Sequence, residues 1–116
     1  NYENNYRYIR YADVLLMAAE ANNRGGISDS KAQSYLNQVR SRAGVSAINE
    51  TGSALTQAIW DERRLEFAGE GHRFFDLVRT GQAANEISGF VAGKHEVFPI
   101  PQTEIDISGL TQNPGY

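Results

Sequence analysis

The chain has 116 residues, of which 41% are hydrophobic and 22% charged, and its formal net charge is −3. That length suits one compact domain with a modest core, and the acidic balance gives no electrostatic basis for binding nucleic acid. With no Cys, disulfides, thiolate metal sites and Cys nucleophiles are excluded, and no run approaches the roughly eighteen apolar residues of a membrane span. The cationic side chains are nine Arg against two Lys, Lys31 and Lys94. Arg suits planar, bidentate and partly buried ion pairs, so this bias points to internal polar architecture. Residues 1–10 are polar and Tyr-rich with no apolar leader, and the chain reads as a piece of a longer protein.

In chain order, a first helix is expected over residues 8–24. There Ala12, Leu15, Leu16 and Ala19 recur at i, i+3, i+4 and i+7, and Gly25 and Gly26 end it. A second helix is expected to open at Ser30, with Ser30 and Gln33 forming a capping box. Its stripe is Ala32, Tyr35, Leu36, Val39 and Ala43, and Gly44 closes it. Two helices joined by a short Gly-containing turn pack antiparallel, and residues 8–44 have the size of one tetratricopeptide (TPR) hairpin without the consensus Trp and Gly positions of that repeat. After a polar linker at 45–53, a third helix is expected over 54–68 and a fourth over 72–80. Together they make a second helical pair spanning 54–81, with a short helical piece at 83–87. Residues 82–116 change character. Phe98-Pro99-Ile100-Pro101 imposes an extended path, one helical turn is expected at 103–106, and Asn113-Pro114-Gly115 is a turn. The expected fold class is mainly α, with TPR-like antiparallel helical hairpins and an extended, Pro-containing C-terminal strap.

The densest charge lies in the third and fourth helices. At about 100° per residue, Leu55 and Ile59 mark the apolar centre of the third helix. Glu62, Arg63, Glu66 and Glu70 fall on that side, while Asp61, Arg64 and Leu65 point away. Acids on a buried face need partners, because unpaired buried charge costs several kcal/mol. The fourth helix offers His72, Asp76 and Arg79 on one stripe with Arg73 beside it. One reading makes Glu62 and Glu66 paired catalytic carboxylates, or adds His72 and Asp76 as a metal site. The other makes Glu62, Arg63, Glu66, Arg73, Asp76 and Arg79 a structural ion-pair network that fixes how two helices dock. A catalytic acid would sit unpaired with a shifted pKa, and four Arg lie within this short run to neutralise it. Neither HExxH nor a repeated ExxH is present, nor GxSxG, nor a phosphate-binding Gly loop. The structural reading therefore stands, with no catalytic residue, metal or cofactor expected. Among the aromatics, Tyr8, Tyr11 and Trp60 are expected to pack inside, and Tyr2 and Tyr6 to be exposed enough to stack on a sugar ring.

Three stretches together resemble the C-terminal region of the SusD/RagB family: RYADVLLMAAEA from Arg10 with LNQVRSRAG from Leu36, AIWDERRLEFAGEGHRFFDLVRTG from Ala58, and VFPIPQTEID with the closing LTQNPGY. The resemblance covers nearly the whole chain. It implies a TPR-like helical scaffold belonging to a nutrient-binding lipoprotein. Such a protein sits on the outer face of the outer membrane, held by a lipid anchor that lies outside this chain. It also implies an oligosaccharide ligand (or a peptide, as in the RagB branch) and a SusC-like TonB-dependent transporter as partner. The family's ligand contacts lie mostly in loops upstream of this region, so no binding residue carries over. The expected action is reversible capture and handover to the transporter, without catalysis. The rivals are a TPR-like peptide-binding adaptor and, more distantly, a carboxylate-dependent glycan hydrolase.

Overall fold

A computed structural model describes residues 8–116. Every regular element among them is an α-helix: α1 (Tyr11–Arg24), α2 (Asp29–Arg42), α3 (Gly52–Glu66), α4 (Arg73–Arg79), α5 (Ala83–Glu86) and α6 (Gln102–Ser108). The chain forms two compact units that divide after Gly71. The division falls inside the 54–81 segment, so α3 belongs to the first unit and α4 to the second.

In the first unit the apolar stripes act as their periodicity requires. Ala12, Leu15, Leu16 and Ala19 of α1 are buried against Ala32, Leu36 and Val39 of α2 and Leu55 and Ile59 of α3. Each fully buried Leu or Ile contributes about 1.5–3 kcal/mol of transfer free energy. Tyr35 is only partly buried, and Ala43 is exposed because it is the C-cap of α2 and lies past the packed face. The α1–α2 pair makes the most extensive helix–helix contact, and α3 packs on both.

The helix ends show how the sequence signals operate. Gly26 (φ 64°) closes α1 and Gly44 (φ 74°) closes α2. In each case the following amide reaches back to a carbonyl three residues before the cap, Ile27 to Asn22 at 2.9 Å and Val45 to Arg40 at 3.0 Å. A side chain at either glycine would be strained in this left-handed conformation.

The helix starts depart from expectation. α1 begins at Tyr11 and not at residue 8, because Arg10 holds an extended backbone (φ −108°, ψ 157°) and makes no side-chain cap. The cap of α2 is Ser28 and not Ser30: Ser28 accepts from the Lys31 amide at 3.3 Å, and Gln33 donates to the Glu50 carbonyl at 2.8 Å instead of closing a capping box. α3 starts two residues early because Gly52 is tied to the α1–α2 turn. Its amide donates to Asp29 Oδ2 at 2.7 Å and its carbonyl accepts from Asn23 Nδ2 at 3.0 Å. Asn23 Nδ2 also donates to Asp29 Oδ1 at 2.7 Å, and that bond first, then the Gly52 amide, pulls Asp29 below the usual carboxylate range.

The second unit has little core: Leu77 of α4 and Ala83 of α5 are its buried apolar residues. The short helical piece ends at Glu86, and α6 runs over Gln102–Ser108, longer than the single turn expected. Residues 98–101 form neither helix nor strand, and Pro101 holds φ −54° and ψ 136°. Side chains from the end of the chain secure this stretch. Gln112 accepts from the Ile100 amide (2.8 Å) and donates to the Ile100 carbonyl (2.9 Å), Asn113 donates to the Phe98 carbonyl, and the Tyr116 hydroxyl donates to the Val97 carbonyl. With two of the backbone donors replaced by Pro, a side-chain amide supplies the pairing that a strand ladder would otherwise provide.

Candidate functional site

Glu62 and Arg63 are buried and the Glu66 side chain nearly so, whereas Asp61, Arg64 and Leu65 are exposed. Within the first unit their partners come from α1, from Arg10 just before it, and from α2. Arg40 Nη1 donates to Glu62 Oε2 at 2.6 Å, and Arg63 Nη1 donates to Asp13 Oδ1 at 2.7 Å. Glu66 accepts from Arg10 at 2.8 Å through one oxygen and from Arg42 through the other. Arg10 also grips Glu70 with a two-point fork, Nε to Oε2 at 2.9 Å and Nη2 to Oε1 at 2.7 Å. These bonds, from Glu70 first and Glu66 second, raise the Arg10 pKa still further above its ordinary value and hold it charged. Two of the same guanidiniums lie over the Phe67 ring, Arg10 at 4.8 Å and Arg63 at 5.1 Å from its centroid, a cation–π arrangement on a buried ring.

Glu70 is exposed, contrary to the helical wheel. α3 ends at Glu66 and Phe67 is its C-cap, so the period that placed Glu70 on the buried face no longer applies. In the second unit Arg79 Nε donates to Asp76 at 2.8 Å along α4, and Arg73 approaches Glu86 at 3.4 Å. Sequence reasoning missed Arg10, Asp13, Arg40 and Arg42 as partners. The available signal was a charged residue beside an apolar stripe, as Asp13 is beside Ala12 and Leu16. Each of Asp13, Glu62 and Glu66 thus accepts from at least one guanidinium.

The aromatics also depart from expectation. Tyr8 is 81% and Tyr11 72% exposed: Tyr8 precedes the helix, and Tyr11 sits about 100° from Ala12 on the wheel, away from the core. Trp60 is half-buried with the Arg24 guanidinium over its ring at 5.6 Å, and its indole N–H is buried without a hydrogen-bond partner. Tyr2 and Tyr6 lie outside the described residues. Between α1 and α2 runs a groove of about 770 Å³. Its walls include Tyr11, Leu15, Ser34, Gln38 and Arg42. Among the described residues no three His, Asp or Glu side chains converge as a metal site would require.

The sequence model of the SusD family matches residues 1–97. The chain belongs to the SusD family. It is 34% identical over 132 residues to a SusD-like protein of Formosa agariphila, a match covering 97% of this chain and 26% of the relative. Among solved structures it superposes on a SusD homolog from Bacteroides thetaiotaomicron with a TM-score of 0.84 at 38% identity, covering 91% of this chain and 24% of that one. It also matches surface glycan-binding protein A from Bacteroides uniformis, with a TM-score of 0.78 at 40% identity over 97% of this chain and 28% of that one. This SusD-family chain therefore spans about a quarter of the length of the relatives it matches, and its helical hairpin architecture is theirs. None of its described helices is long and apolar enough to cross a membrane.

Proposed function

We propose that this chain is the helical scaffold of a cell-surface glycan-binding protein in a SusC/SusD-type uptake system, forming the C-terminal region of a longer polypeptide. The observation that carries this reading is the 40% identity to a surface glycan-binding protein along nearly the whole chain. In the proposal the protein is lipid-anchored on the outer face of the outer membrane, docks on a SusC-like TonB-dependent transporter, and contacts its oligosaccharide mostly through regions outside this chain. Within the scaffold, residues 8–44 and 54–81 act as helical pairs and 82–116 as a strap. Glu62, Arg63, Glu66, Arg73, Asp76 and Arg79 serve as structural ion pairs.

The proposed action is binding and not catalysis. What supports this is that Glu62 and Glu66, the obvious acid pair, each face a guanidinium. A hydrolase would lose glycan turnover in Glu66→Gln with no change in melting temperature. The scaffold reading expects the reverse: a loss of about 3 kcal/mol or more of stability, as when one partner of a buried pair is removed. The glycan reading itself is tested by calorimetric titration of the full-length protein with a panel of oligosaccharides and peptides. Saturable heat with an oligosaccharide is expected. Heat with peptides alone would replace this reading with the TPR-like peptide-binding alternative.

A further inference from the structure

The turn at residues 91–96 is closed from its own far end. The His95 amide donates to the Val91 carbonyl at 3.0 Å, and the Val91 amide donates back to His95 Nδ1 at 3.0 Å. Glu96 Oε1 accepts from the Gly93 amide at 2.9 Å. A backbone N–H has no lone pair to offer, so the bond to His95 exists only while Nδ1 is unprotonated and the ring proton sits on Nε2. An imidazolium donates from both nitrogens and would set one N–H against another at Val91. Histidine is the side chain that makes this change between pH 5 and pH 8.

The His95 ring is half-buried, with Phe90 edge-on at 5.7 Å and Phe74 beyond Phe90 at 6.5 Å. Neither of those rings carries charge, and the charged groups of the turn are Glu96 and Lys94. The Gly93 amide and its own amide, with a smaller attraction to His95, hold the Glu96 carboxyl below the usual carboxylate range. Carboxylates titrate near pH 4 in any case, so Glu96 stays ionised through the histidine window. Once His95 is charged, it competes with the Gly93 amide for that carboxylate. Lys94 is engaged with the end of the chain. Its Nζ lies 4.7 Å from the centroid of the Tyr116 ring, and its methylenes close on Gly115 (φ 84°), where a Cβ would come within 3.0 Å of Lys94 Cγ. The Tyr116 hydroxyl donates to the Val97 carbonyl at 3.0 Å. Turn and tail thus hold each other.

We propose that His95 is a proton-sensitive clasp on residues 112–116, closed while its ring is neutral and opened when the ring takes up a proton. The bond that needs neutral imidazole is present above the histidine window and is lost as pH falls through it. Opening the 91–96 turn displaces Lys94 from Gly115 and Tyr116, and the tail then loosens its grip on residues 97–100. The clasp does not depend on the glycan reading.

The test is hydrogen exchange of the full-length protein, read as protection factors at pH 8 and pH 5 so that the intrinsic pH dependence of exchange cancels. Protection of the Val91 amide is expected to fall about tenfold at pH 5. The Ile100 amide, which Gln112 holds, should fall with it. His95→Asn places a carbonyl acceptor near the Nδ1 position and should keep the pH 8 protection at pH 5. His95→Phe removes the acceptor and should show the low protection at both. Equal protection at the two pH values in the unaltered protein overturns the proposal. So does a fall of the same size in His95→Asn, which would place the sensor elsewhere. A fall confined to Val91 would leave the tail outside the clasp and overturn it as well. Imidazole nitrogen shifts at pH 8 check the starting state without a variant: they should show Nδ1 unprotonated, and a proton found there sinks the idea.

Discussion

The two units of this chain are held together by different means. The first, up to Gly71, rests on three interlocked helices with five fully buried large apolar side chains and charged residues paired inside the fold. The second, from His72, buries Leu77 and Ala83, leaves Phe98 83% and Ile107 82% exposed, and relies on side chains bonded to backbone. Apolar burial is non-directional and cooperative, whereas a hydrogen bond exchanges with water and nets only about 1 kcal/mol. The first unit should therefore respond to substitutions globally and the second locally.

The largest effect is expected where charge is buried. Arg63→Met leaves Asp13 without that guanidinium inside the fold and should cost about 3–5 kcal/mol, read from urea unfolding; the double change Arg63→Met with Asp13→Leu should recover much of it. Next, Leu36→Ala removes a fully buried side chain and should cost about 2–5 kcal/mol by the same measurement. A loss under about 1 kcal/mol would show that the first unit is not held as a single packed core.

The comparison sharpens in the second unit. Gln112→Ala breaks both bonds to Ile100. It should raise hydrogen exchange at the Ile100 amide about tenfold while leaving α1 amides unchanged. Faster exchange of α1 amides in that variant would mean that the two units share their stability. The smallest effect concerns pH. The folded pKa of Asp29 is depressed by Asn23 and the Gly52 amide. Its contribution is therefore present above the unfolded value of about 4 and is lost as pH falls through the folded value. Asp29→Asn should flatten the acid limb of a stability profile below about pH 4.

Much of the first unit could be read directly. The 3.6-residue period located the core faces of α1 and α2, and the glycines at 26 and 44 marked their ends, because both signals act within a turn or two of chain. Ser28 was missed for Ser30 because two serines stand one turn-residue apart and only the path of the chain into α2 selects between them. Tyr11 was misplaced because an aromatic at helical spacing resembles core until the helix has a defined start and rotation.

What the sequence determined by itself is therefore the helical pairing, the SusD-family membership and the fact that acids in the 62–66 stretch lie on a buried face. What only the tertiary structure decided is who neutralises them. Arg10 reaches residues 56 and 60 positions away, and Arg40 reaches one 22 away. An Arg side chain is long, flexible and two-ended, so its partner is selected by the packing of helices and not by spacing along the chain.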